Sequence, residues 1–71
     1  MGLTAVVRFS DHTSDDRAEL IRGGLACHGA GEAVGRRVYR YTFTREGAIA
    51  KARSSLDYWQ SEGWLSWKVI C

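Results

Sequence analysis

Proline is absent from this chain of 71 residues, so helix ends and turns fall to glycine rather than to a fixed φ. Cysteine is nearly absent. Cys27 and Cys71 permit one disulfide at most, which excludes a disulfide-stapled secreted scaffold. Two reduced thiols are expected, Cys27 as a small apolar side chain and Cys71 as the chain end, with an intermolecular bridge open to Cys71 on oxidation. There is no apolar run long enough to span a bilayer, and no basic start followed by an apolar stretch. The sequence therefore reads as a complete cytoplasmic protein beginning at Met1, without a membrane partner. Lysine is scarce as well: only Lys51 and Lys68 stand against eight arginines. Arginine carries a rigid fork of donors suited to carboxylates, phosphates and stacking. The bias fits an interface, and it equally fits a GC-rich genome. Acidic residues are scattered rather than paired, so acid/base catalysis has no evident home. No enzyme activity and no cofactor are expected.

What is present is globular: 45% hydrophobic, 25% charged, net charge +2. A chain of this length is one domain, 1–71, burying only about 60% of its unfolded surface, and a core so thin often gains a staple or a partner. Leu3, Ala5, Val7 and Phe9 alternate with Thr4, Val6, Arg8 and Ser10, the period of a half-buried strand. SDHTSDD follows, with Thr13 or Ser14 as an N-cap and Asp15 and Asp16 at the positive end of a helix. Ala18, Ile21 and Leu25 recur at helical spacing, but Gly23 and Gly24 each cost about 1 kcal/mol inside a helix. The expected first helix therefore runs from about Ser14 to Arg22. Leu25 to His28 is either a last helical turn or a short edge strand, and Gly29, Gly31 and Gly35 mark a flexible turn.

GRRVYRYTFT, residues 35–44, alternates again, and the second helix is expected to begin at Thr44 as its cap. Ile49, Ala52, Leu56 and Trp59 form one apolar stripe, which Gly63 ends. Leu65, Trp67, Val69 and Cys71 alternate with Trp64, Ser66, Lys68 and Ile70 in a last strand. This order predicts an α+β fold, a small antiparallel sheet of three or four strands with two helices on one face. With Leu25–His28 as a strand the topology is the split β-α-β, or ferredoxin-like, arrangement. Otherwise three strands and two helices remain. Helices on one face demand large apolar side chains there, so Tyr39, Tyr41 and Phe43 are expected as core with Leu3, Val7, Phe9, Leu65, Trp67 and Val69. Arg36, Val38, Arg40 and Thr42 then line the open face with Arg8, Trp64, Ser66 and Lys68.

Other constellations carry little chemistry. The glycines of GAGEAVG precede a strand rather than open a helix, unlike a dinucleotide loop. His12, Cys27, His28 and Cys71 lack the paired short spacings of a zinc site, so no metal is expected. Ser10, Asp11 and His12 are contiguous, and neighbours in sequence rarely meet through their side chains as a triad must. The candidate site is instead a partner-binding row of Arg8, Arg36, Arg40, Trp64 and Lys68, since arginine and tryptophan anchor interfaces.

Two resemblances bear on function. RRVYRYTF resembles the aromatic strand of the RNA recognition motif, which implies Tyr39 and Tyr41 stacking bases behind Arg37. The same match sends Arg40 and Thr42 into the core. YTFTREGAIAKARSSLDYWQSEGWLSWKVI, a strand ending in threonine, an AxxKAxxxL helix, a glycine and a short strand, resembles several small phage-borne proteins, some of them anti-CRISPR inhibitors. That resemblance implies a stand-alone phage or mobile-element inhibitor docking on a host protein or nucleoprotein complex. Three readings follow: such an inhibitor, a small nucleic-acid-binding module using strand 36–43, or a homodimeric structural protein.

Overall fold

Six elements follow one another in the computed structural model, which describes residues 2–70. They are β1 (Leu3–Phe9), α1 (Asp15–Ala26), β2 (Ala30–Gly35), β3 (Val38–Phe43), α2 (Glu46–Ser61) and β4 (Leu65–Val69). All strand pairings are antiparallel, in the order β2-β3-β1-β4. The fold is a small α+β domain of the β-α-β-β-α-β element order, with both helices on one sheet face. Its core joins Leu3, Ala5, Val7 and Phe9 to Tyr41, Phe43 and Leu65 from the sheet, and to Ala18, Ile21, Leu25, Ala52 and Leu56 from the helices. Strand alternation therefore sends one row per strand into the core, as the apolar period predicts.

Three assignments differ from the sequence expectation, and one open alternative is decided. α1 does not stop at Arg22: it runs through Gly23 and Gly24 to Ala26, because Leu25 is almost wholly buried in the core and outweighs two unfavourable glycines. Of the two readings of Leu25–His28, the last helical turn holds as far as Ala26 and the edge strand does not. Ser14 caps the helix, its hydroxyl accepting the Arg17 N–H at 3.2 Å. The fourth strand is the glycine stretch expected to be a flexible turn. β2 pairs with β3 from Ala30 to Gly35 and is bulged between Ala33 and Gly35, although all six of its residues are exposed. Arg45, not Thr44, holds the N-cap position of α2 and gives it no side-chain bond.

The row Tyr39, Tyr41 and Phe43 lies on the helix face. Tyr41 is 3% exposed and Phe43 wholly buried, while Tyr39 is half-buried against the core. The Tyr41 and Phe43 rings stack at 6.2 Å, and Phe9 meets Tyr39 edge-on at 5.8 Å. Val69, expected in the core, is 45% exposed: it shares the face of Ala5 but ends an edge strand. Cys27 is exposed rather than a packed apolar side chain, and Cys71 lies outside the described residues. Among the described residues no helix is long and apolar enough to cross a membrane.

Candidate binding face of the sheet

Because β1, β3 and β4 send their large apolar residues to the helices, their intervening residues form the open face. The register sets one row across all four strands, Glu32, Arg40, Val6 and Lys68. A second row holds Val38, Arg8 and Ser66. Arg8, Arg40 and Lys68 are exposed around the half-buried Val6 and Val38, so the middle of the face is apolar with cations about it. Thr4 and Thr42 stand opposite one another, their hydroxyls 3.5 Å apart.

The five expected site residues separate into three groups. Arg8, Arg40 and Lys68 share the open face. Arg40 is engaged there by Glu32, which accepts from both its Nε and its Nη2. Among the described residues Arg8 and Lys68 pair with no carboxylate, and both border a shallow depression of about 330 Å³ between β1 and β4. Arg36 is not on a strand. It occupies the β2–β3 turn, and with Arg8, Asp11 and Arg37 it lines a cleft of about 510 Å³ at the end of the sheet.

Trp64 is not on the open face at all. Gly63, with φ of +80°, turns the chain before β4 begins, so strand alternation does not govern the indole. Its ring lies against the helices, with the Arg17 guanidinium 4.1 Å from its centroid and Tyr58 edge-on at 6.2 Å. The Trp64 carbonyl accepts the Ser10 N–H at 3.0 Å and the Thr13 hydroxyl at 2.7 Å. Trp64 is a fastening for the loop before α1.

Sequence reasoning gave Arg37 no structural part, yet it organises this end of the molecule. Its backbone is left-handed, with φ of 60°. Its guanidinium donates to the carbonyls of Ser10 at 2.8 Å and Thr13 at 2.5 Å and to the Asp15 carboxylate at 3.0 Å, while its own carbonyl accepts the Phe9 N–H at 3.0 Å. Loop 10–14 and the β2–β3 turn are thereby tied together. The local signal is faint: an arginine at the second position of a two-residue turn.

The placement of the aromatic row corrects the RNA-recognition match. Tyr41 is covered by the helices, so Tyr39 and Tyr41 cannot stack bases on the open face, and Arg40 and Thr42 are exposed rather than core. Burial raises the Tyr41 phenol above its ordinary pKa of 10.0, an effect partly offset by Arg22 beside its hydroxyl. Among the described residues no group of three or more His, Cys, Asp or Glu side chains gathers to hold a metal ion. No family model, curated protein or solved structure matches this chain.

Proposed function

We propose that this chain is a non-enzymatic binding protein that docks the open face of its sheet on a host protein or nucleoprotein complex, as a small phage or mobile-element inhibitor of the anti-CRISPR kind would. One observation carries the reading. Both helices lie on the same side of the sheet, and the uncovered side combines Val6 and Val38 with the cations Arg8 and Lys68, which pair with no carboxylate among the described residues. An apolar centre with a charged surround is the anatomy of a protein interface, and its sign selects an acidic partner. The contact residues are Arg8, Lys68 and Arg40, with Arg36 at the rim. The nucleic-acid reading has lost its stacking pair and keeps only the cations.

The test is a pull-down from bacterial lysate, with and without nuclease, using the native chain and an Arg8→Glu/Lys68→Glu variant. The expected outcome is one defined complex that survives nuclease and binds the variant at least about tenfold more weakly, as for loss of charged contacts. Loss of all captured material on nuclease treatment would overturn this reading. Affinity for free nucleic acid falling with salt at a log-log slope near −0.7 to −0.9 per phosphate would then identify a nucleic-acid-binding module.

A further inference from the structure

The two edges of the sheet are managed differently. On β4 the outward N–H of Trp67 donates to Gln60 Oε1 at 3.0 Å, and the Trp67 indole donates to Asp57 at 3.2 Å. α2 thus closes that edge, and Lys68 adds a charge of the kind that discourages further pairing. On β2 nothing comparable occurs. All six residues of AGEAVG are exposed, none is lysine or proline, and the one charged side chain, Glu32, is turned onto Arg40 of β3. In an antiparallel strand alternate residues direct their N–H and C=O away from the neighbour, so β2 presents a bare row of backbone donors and acceptors. The bulge between Ala33 and Gly35 ends the regular part of this row, leaving Ala30–Ala33 as the free template.

We propose that β2 is a self-association edge, on which a second copy of this chain pairs its own β2 antiparallel about a two-fold axis at Gly31, joining two sheets into one of eight strands. A strand is what such an edge recognises, because backbone bonds supply the contact. Charge points to a copy of the same strand. The edge and the groove of about 330 Å³ beside it carry Glu19 and Glu32 against Arg22 and Arg40, a balanced set with no net charge to repel a copy of itself. A strongly acidic or basic strand would leave half of it uncompensated. The flank of α1 over this groove also carries the small residues Gly23 and Ala26, which leaves room for a neighbouring strand.

The register follows from face and charge. A two-fold perpendicular to the sheet opposes residues of the same face. An axis at Glu32 would set two carboxylates directly opposite, which is destabilising. An axis at Ala33 would run half the contact into the bulge. An axis at Gly31 opposes Glu32 to Ala30 of the second copy, twice by symmetry, and glycine meets glycine at the centre. The open faces of the two copies then become continuous, although self-pairing does not depend on what that face binds.

The discriminating experiment is sedimentation equilibrium on the full chain, Ala30→Glu and Ala30→Lys, with circular dichroism to verify folding. Ala30 is exposed, so both variants are expected to fold. The native chain should approach twice its 7.9 kDa mass as concentration rises. Ala30→Glu, which opposes Glu32 of the second copy in both symmetric contacts, should weaken the dimer about tenfold, whereas Ala30→Lys should leave it unchanged or tighter. A native chain that stays monomeric throughout overturns the proposal, as does a dimer that responds alike to both variants. Hydrogen exchange gives a second reading. Among residues 30–33, the amides that point away from β3 should gain protection with concentration, and protection elsewhere but not there would also sink the idea.

Discussion

Arg37 ties the β2–β3 turn to loop 10–14 and the start of α1 through one side chain. It is three-quarters buried, with 25% of its side chain exposed, and donates to two carbonyls and a carboxylate across loop 10–14. Charge-assisted bonds of this kind contribute more than neutral ones. Arg37→Ala is therefore expected to lower unfolding free energy by about 2 kcal/mol. Arg36→Ala, one residue away and exposed, should change it by no more than about 0.5 kcal/mol. Arg37→Gly should recover about 1 kcal/mol of the loss, because glycine adopts the left-handed backbone without penalty. Urea denaturation of the three variants checks the order. Tyr41 gives a pH signature. Its phenol is raised above 10.0 by burial, so the folded state favours the neutral form. The associated stability is complete below pH 10.0 and is lost as pH rises through the folded value. Melting temperature followed across the alkaline range should fall for the native chain and less steeply for Tyr41→Phe.

At the level of elements, glycine has opposite meanings in α1 and β2. Gly24 lies inside a helix, and a methyl there would meet Trp59 at an ordinary 3.9 Å. Gly24→Ala should stabilise by about 1 kcal/mol through helix propensity. Gly31 faces the Tyr41 ring so closely that a Cβ would collide with Cε1, and Gly31→Ala should cost about 1–3 kcal/mol, the price of overpacking. Thermal denaturation of the pair should show shifts of opposite sign. The contrast also explains why α1 outruns its glycines: local propensity opposes the last turn, and burial of Leu25 outweighs it.

The whole molecule rests on a thin core. Leu56 is wholly buried among residues of both layers, and Leu56→Ala is expected to cost about 2–5 kcal/mol. A core of this size supplies only about 3–5 kcal/mol in total, so that variant should be largely unfolded by circular dichroism at room temperature. Separation of duties follows from the same geometry. Stability resides between the helices and one sheet face, so Arg8→Glu/Lys68→Glu on the opposite face should alter binding while leaving the melting transition close to that of the native chain.

Large apolar side chains at regular spacing are legible in the sequence itself, because their transfer from water decides which face they take. Leu3, Val7 and Phe9 declare β1, Ala52 and Leu56 declare α2, and the size of Tyr41 and Phe43 assigns their strand its buried face. Where side chains are small or polar the local pattern is silent. AGEAVG becomes β2 because β3 offers it a ladder of backbone bonds, a partner supplied by distant chain. Trp64 leaves the open face because Gly63 turns the backbone ahead of β4, and Arg37 gains its role only when three separate carbonyl and carboxylate acceptors converge on it. Burial is written into residue type and period, whereas hydrogen-bond partners belong to whichever segments the folded chain brings together.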